Sequence, residues 1–389
     1  MSDKKYDVVV FGATGFTGRL VAEYLDQQYN PSQLNWAMAG RSQDKLQQIR
    51  SEMGISDKID LHVANSAKPE TLKELAQSSK VVLTTVGPYQ LYGTELVRAC
   101  VESGTDYVDL SGEPAWMHDT IEEFDVRAKE TGARIVHSCG FDSIPFDLGV
   151  YFTQKTAKEK FGVTCPRIKG RVRKMKGTFS GGTKASFMAT MMRVGKEPEV
   201  LDWLKDPFSL APGFTGAPQP PGHKPIYDED LNSWSAPFIM ASINTKNIHR
   251  SNTLLDHAYG QDFVYDEMVL TGPGEKGQQA AEFLAKDDSF AKNPVKPGEG
   301  PSKEERENGH YDVMFVGDTA NGERVITSVI GDKDPGYGST SKMIAESALC
   351  LAKDNLQTGG GVFTPAPAMG EALIKRLVDN AGLTFSVEN

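Results

Sequence analysis

The chain reads as an α/β protein: a doubly wound parallel sheet followed by a second α+β domain containing an antiparallel sheet. Three observations carry this reading. Short β-branched runs alternate with helix-length segments up to about residue 150. A glycine-rich turn joins the first of those runs to the first helix. Farther on, Arg167 to Met175 alternates polar and apolar side chains, and the runs Tyr311 to Val316 and Arg324 to Ile330 meet through Asn321-Gly322 as a hairpin.

Composition narrows the function classes before any motif is read. The 389 residues hold 42 Lys and Arg against 52 Asp and Glu, a net charge of −10. That balance argues against nucleic acid as a partner, since a general binder shows a basic stripe. No apolar run reaches the length of a bilayer span, so no integral membrane segment is expected. Met-Ser-Asp-Lys-Lys runs straight into a strand without a signal-peptide pattern. Cys100, Cys139, Cys165 and Cys350 are far apart with no C-x-x-C, which suits reduced thiols and a cytoplasmic location. The seven histidines show no ligand spacing, so no metal is expected.

The first element fixes the rest. Val8 to Phe11 is a short β-branched run, read as a buried parallel strand. Gly12-Ala13-Thr14-Gly15-Phe16-Thr17-Gly18 follows, with Thr17 placed to cap a helix whose apolar face is Leu20, Val21, Tyr24 and Leu25. Its G-x-x-G-x-x-G spacing is one residue longer at the front than the dinucleotide fingerprint. Glycine is required because a Cβ would block a pyrophosphate, and the amides at a helix start attract anions. All seven residues are therefore candidate cofactor contacts in a Rossmann-type domain.

Asn35 to Ala39 reads as the second strand and ends in Gly40-Arg41-Ser42. An acid about 20 residues after the glycine turn would bind the ribose 2′-OH of NAD. Arg41 stands there instead, with Ser42 as a second donor, which favours the 2′-phosphate of NADP(H). Ile59 to Ala64 and Val81 to Thr85 read as the third and fourth strands. The fourth ends in Val86-Gly87-Pro88-Tyr89, at the sheet edge where ligands bind. Val86, Gly87 and Pro88 face the cofactor or simply punctuate a turn, and Tyr89 stacks or hydrogen-bonds near the nicotinamide.

A helix from Gly93 to Ser103, a strand from Tyr107 to Asp109, a helix from Ala115 to Thr131 and a strand from Arg134 to His137 complete the alternation. His137 is read as a strand-end core residue and Cys139 as a small buried one. Asp142 and Ser143 lie at the mouth of the sheet as an N-cap pair for the helix from Pro145 onward. With Tyr89 they form the candidate catalytic set.

These residues resemble a known family. The glycine turn, Ala39-Gly40-Arg41-Ser42, Val86-Gly87-Pro88-Tyr89 and Cys139-Gly140-Phe141-Asp142-Ser143-Ile144-Pro145 are similar to the saccharopine dehydrogenase-like oxidoreductases. The bacterial members of that family include trans-acting enoyl reductases of polyketide-type lipid synthesis. Matches continue through Ser180-Gly181-Gly182-Thr183, Ala236-Pro237-Phe238-Ile239-Met240-Ala241 with Asn244, Arg250-Ser251-Asn252, Pro297-Gly298-Glu299-Gly300-Pro301-Ser302 and Thr364-Pro365-Ala366. The resemblance covers nearly the whole chain and implies a Rossmann domain, NADP(H), and reduction of a small-molecule or carrier-bound acyl substrate. A homodimer is the expected assembly. The expected boundaries are 1–150 for the NADP-binding domain and 151–337 for a substrate and dimerisation domain. Residues 338–389 are expected to form terminal helices packing back on the first.

In the second half, Arg167 to Met175 is read as an antiparallel strand. Its cluster Lys169, Arg171, Arg173, Lys174 and Lys176 forms a solvated face or, more sharply, attracts an anionic carrier. Ser180-Gly181-Gly182-Thr183 opens a helix to about Arg193, as a plain cap or as an anchor for a carboxylate or thioester oxygen. Pro207 to Pro225 is a loop, Trp234 to Leu255 a core helix that could line an apolar pocket, and Lys286 to Gly309 a polar surface excursion. Gly338-Ser339-Thr340 begins a helix to about Asn355. A last helix presents Leu373, Ile374, Leu377 and Val378 on one face.

Three readings of function follow. The first is an NADPH-dependent reductase of an enoyl or acyl-type intermediate. The second is a saccharopine-type amino-acid dehydrogenase acting on an imine, for which Arg171, Arg173 and Arg250 would bind substrate carboxylates. The third is a non-catalytic NADP-binding protein.

Overall fold

A computed structural model describes residues 4–178, 180–287 and 298–388. Six strands come first: β1 (Tyr6–Phe11), β2 (Trp36–Gly40), β3 (Asp60–Val63), β4 (Ser79–Thr84), β5 (Asp106–Val108) and β6 (Arg134–Val136). After them come β7 (Arg167–Lys176), β8 (Ile226–Asp228), β9 (Ser233–Pro237), β10 (Val264–Gly272), β11 (His310–Asp318), β12 (Arg324–Gly331), β13 (Gly361–Phe363) and β14 (Leu383–Glu388). Two sheets result.

The first sheet has the order β13-β6-β5-β4-β1-β2-β3, with parallel pairing throughout. Every residue of β1 is buried, as its β-branched run requires when helices cover both faces. From β1 the chain winds outward to β2 and β3, then returns to build β4, β5 and β6 on the other side. The carboxyl ends of β1 and β4 therefore flank a topological switch point, where such sheets bind ligands. Helix Thr340–Lys353 lies on β1 and β4 beside helix Phe16–Gln28, so late residues return to the early sheet.

The second sheet has the order β14-β12-β11-β7-β10-β9-β8. Its central β7 pairs antiparallel with β11 but parallel with β10, so the expectation of an antiparallel strand is half right. Alternation reports a face exposed on one side; it carries no information about neighbour direction. Helix Ile144–Phe161 starts at the mouth of the first sheet and packs under β11 and β12 of the second. A Cβ on Gly149 would sit 2.3 Å from the Phe315 ring, so glycine lets that helix lie flat on the sheet.

Several expectations are corrected. Arg171 is not solvated; it is buried with Nη1 2.9 Å from Asp266. Lys169 pairs with Asp228 and Asp230, and Arg173 with Asp312 and Glu388, so carboxylates on β8, the turn after it, β11 and β14 neutralise these cations. Trp234 to Leu255 is not one helix: β9 precedes helix Ala241–Leu254. In the last helix, Pro365–Asn380, Leu373 and Leu377 are buried while Val378 is exposed. Of the stretch from Lys286 to Gly309, residues 288–297 lie outside the described residues. Its remainder is anchored, with Gly300 against the Phe16 ring and a capping box from Ser302 to Glu305. Among the described residues no helix is long and apolar enough to cross a membrane.

Candidate functional site

The glycine turn after β1 is held mostly by backbone, with Thr85 Oγ1 and Arg19 Nε donating to Gly12 O and Thr14 O. Gly12 and Ala13 donate their N–H groups to Ala39 O at 3.0 and 3.1 Å, and Gly15 N donates to Gly12 O at 2.9 Å. Gly12 adopts φ +93°, and a Cβ on Gly18 would sit 2.1 Å from Gly12 O. Only glycine fits these two positions. Helix Phe16–Gln28 opens with Gly15 at its N-cap and no side-chain cap. Thr17 lies inside the first turn, so its expected capping role is not realised. An uncapped, dipole-positive helix start beside a turn without Cβ atoms fits a dinucleotide pyrophosphate.

A cavity of about 680 Å³ runs from this turn across the switch point. At one end it is lined by Gly12, Thr14, Gly15, Phe16, Thr17, Arg41 and Ser66. Val86, Gly87, Tyr89 and Asp142 also line it, as do Met175, Phe187, Met191, Leu204, Ile239 and Ile243 with the hydroxyls of Ser180, Thr183, Ser186, Thr190 and Ser242 among them. Among the described residues, Arg41 and Asp142 are the only charged side chains in the lining.

Five expected contacts fall outside that lining. Ala13 is buried beneath it, and Gly18 is packed on Gly12. Ser42 caps helix Gln43–Glu52, its Oγ accepting from Lys45 N at 3.3 Å. Pro88 forms the N-cap of the short helix Tyr89–Tyr92. Ser143 is buried; its hydroxyl donates to Asn244 Oδ1 at 2.9 Å and accepts from Asn247 Nδ2 at 2.9 Å. Although at the N-cap of helix Ile144–Phe161, Ser143 makes no cap bond and does not reach the cavity.

The candidate proton carriers separate on geometry. Tyr89 stacks on Trp116, and its buried phenol donates to Thr84 O at 3.3 Å while accepting from Leu110 N at 3.0 Å. Burial drives its pKa well above the ordinary value. With its one proton committed to backbone, Tyr89 is a structural tie rather than a donor. Cys139 is buried and its thiol is likewise pushed up by burial, as a small core residue should be. Asp142 differs. Its carboxyl lines the cavity, hydrogen-bonds to no described residue, and is raised to about 6 by desolvation.

Two groups at the site carried no signal in the sequence reading. Asp109, at the end of β5, accepts from Ser111 N and Ser138 N through Oδ1, both at 2.9 Å, and contacts His137 Nδ1 at 2.7 Å through Oδ2. It thereby holds two strand-end turns, and Ser138 takes a left-handed φ of 63° there. Glu113 is buried and accepts from Tyr89 N at 2.7 Å, Gln90 N at 2.9 Å and Ser186 Oγ at 2.6 Å. The start of helix Gly181–Val194 is a cap: Ser180 Oγ takes Thr183 N at 2.9 Å, and the Tyr337 phenol takes Gly181 N at 3.3 Å.

Comparison with known proteins adds to this geometry. Residues 8–136 match the family described as the saccharopine dehydrogenase NADP binding domain. A relative from Mycobacterium tuberculosis, provisionally named a trans-acting enoyl reductase, is 39% identical over 96% of both chains. The trans-acting enoyl reductase of Mycobacterium ulcerans is 35% identical over 97% of this chain and 96% of its own. Among solved structures, apo saccharopine dehydrogenase (L-Glu forming) from Saccharomyces cerevisiae superposes with a TM-score of 0.56, covering 98% of this chain and 99% of that one. At 10% identity that likeness speaks to the fold alone.

Proposed function

Since the chain belongs to the trans-acting enoyl reductase family and carries the saccharopine dehydrogenase type of NADP-binding domain, we propose that it saturates the α,β-double bond of an enoyl thioester with a long apolar chain. It is an NADP(H)-dependent oxidoreductase. The observation that carries the substrate reading is the cavity lining. Met175, Phe187, Met191, Leu204, Ile239 and Ile243 line it among uncharged hydroxyls, and among the described residues its only charged side chains are Arg41 and Asp142. A saccharopine-type substrate brings several carboxylates and needs several cations. Arg171 is buried against Asp266, Arg173 is paired with Asp312 and Glu388, and Arg250 donates to Leu210 O and Val362 O. None of the three lines the cavity.

The glycine turn from Gly12 to Gly18 would cradle the pyrophosphate, and Arg41 would meet the 2′-phosphate. Ser66 lines the same end, whereas Ser42 is engaged as a cap. Val86 and Gly87 border the cavity where the nicotinamide belongs in this topology. When bound, NADPH supplies the hydride that reduces the β carbon. The chain's own task is to return one proton to the α carbon, which we assign to Asp142. Burial keeps that carboxyl protonated up to about pH 6, and solvent at the cavity mouth restores the proton after each turnover.

Carrier-bound delivery of the acyl group, a homodimer and the boundaries 1–150, 151–337 and 338–389 belong to the same proposal. Helix Thr340–Lys353 on β1 and β4 supports the last boundary, but the tail is not all helix: β13 joins the first sheet and β14 the second, so residues 383–388 depart from the expected packing on the first domain. A cytoplasmic location is supported by four buried free thiols.

NADPH oxidation with trans-2-enoyl thioesters of increasing chain length, and with saccharopine in the reverse direction, tests the function. Turnover that improves with chain length is expected. Turnover of saccharopine without response to enoyl thioesters overturns the substrate. NADPH binding without turnover on either leaves a non-catalytic protein.

A further inference from the structure

Helix Gly181–Val194 forms one wall of the cavity, yet it is barely part of any core. Only Gly181, Ala189 and Thr190 are buried along it. Phe187 and Met191 line the cavity and are still 41% exposed. What fixes the helix is a row of polar bridges to the nucleotide-binding half, spaced by one turn along a single face. Ser186 Oγ donates to Glu113 at 2.6 Å, Gln90 Nε2 donates to Thr190 Oγ1 at 3.1 Å, and Arg193 Nη1 lies 2.6 Å from Asp119. Of the three partners on the nucleotide-binding half, Glu113 alone is buried, at 1% exposure, and water competes least for its bond. The same carboxylate takes the Tyr89 and Gln90 amides of the turn after β4. One group therefore sets the distance between the strand-end turn and the apolar wall.

We infer that Glu113 is a positioning residue whose hydrogen bond to Ser186 latches helix Gly181–Val194 against the nucleotide-binding half and so sets affinity for the acyl chain. This deepens the enoyl reductase reading. Glu113 touches no reacting atom in it. Breaking the latch lets the wall that carries Phe187 and Met191 move, so the loss falls on substrate affinity and spares the chemical step.

Ser186→Ala removes the cross-cleft bond alone and leaves Glu113 on the Tyr89 and Gln90 amides; Glu113→Gln tests the other partner. The first readout needs no substrate: amide hydrogen exchange of residues 181–194 in the NADPH-bound full chain. Exchange there should rise about tenfold in Ser186→Ala, with β1 and β4 unchanged and NADPH affinity kept. Against a long-chain enoyl thioester, KM should rise about tenfold with kcat held within twofold, and Ser186→Thr should restore both. Unchanged exchange over 181–194, or an equal loss of NADPH binding, would overturn the latch. If no enoyl thioester is turned over at all, the exchange result still decides the latch, and only the substrate reading fails.

Discussion

Replacing Arg41 with alanine tests the cofactor end of the cavity most directly. Arg41 is exposed beyond the end of β2, lines the cavity, and makes no ion pair or side-chain hydrogen bond with any described residue. Removing it breaks nothing in the fold, so thermal stability should stay within a degree or two of wild type. A guanidinium on a phosphate contributes about 1.5–3 kcal/mol. Exposure and salt screening keep the contribution at the low end, about 1.5–2 kcal/mol, or roughly twelve- to thirtyfold in affinity. Wild type should therefore bind NADPH at least tenfold more tightly than NADH. Arg41→Ala should bring the two together by weakening NADPH alone, because Gly12, Gly15 and Gly18 serve both cofactors. Titrating each cofactor by the fluorescence of the reduced nicotinamide at two salt concentrations measures this, and the preference should shrink at the higher one. Equal wild-type affinities, or a variant that loses NADH as much as NADPH, would refute the assignment.

Other substitutions probe separate parts of the molecule. Asp142→Asn should lower kcat by about two decades or more, the usual contribution of a placed general acid. The wild-type rate should fall as pH rises through about 6, where Asp142 gives up its proton, and the variant should show no such limb; matching profiles would clear Asp142 of the role. Gly18→Ala drives a Cβ to 2.1 Å from Gly12 O, so NADPH and NADH binding should both weaken at least tenfold with a lower melting temperature. Unimpaired binding would show that the turn is not the cradle. Glu267, hydrogen-bonded to Asn244 and Tyr265, is raised by burial from 4.5 to about 8. The folded form keeps a proton that the unfolded chain has released, so stability falls as pH climbs from about 4.5 to about 8. In Glu267→Gln the decline in melting temperature between pH 6 and pH 8.5 should be shallower; an identical decline would place the titration elsewhere.

What the sequence made legible was local. β1, β2 and β4 are short β-branched or small-residue runs ended by glycine or by a turn, and each was found within about two residues because burial on both faces leaves no other composition. Gly12 and Gly18 were readable since their roles depend on having no side chain. The rest depended on partners remote in sequence. Nothing near Arg171 announces Asp266, and nothing near Glu113 announces Ser186, so one looked solvated and the other carried no signal. Trp234 to Pro237 reads as helix from sequence because an apolar aromatic run suits either element and only pairing with β10 decides it. Tyr89 and Ser143 were proposed for chemistry from position alone. Their hydroxyls prove to be spent on Thr84 O, Leu110 N, Asn244 and Asn247.

The placement of β13 and β14 bears on how the molecule is made. Gly361–Phe363 is the outermost strand of the first sheet, beside β6, and Leu383–Glu388 is the outermost strand of the second, beside β12. Neither sheet is complete until residues 361–388 have been made, so β6 and β12 stay open as edges until then. A nascent chain stalled before residue 361 would present two unpaired edges at once, one from each half.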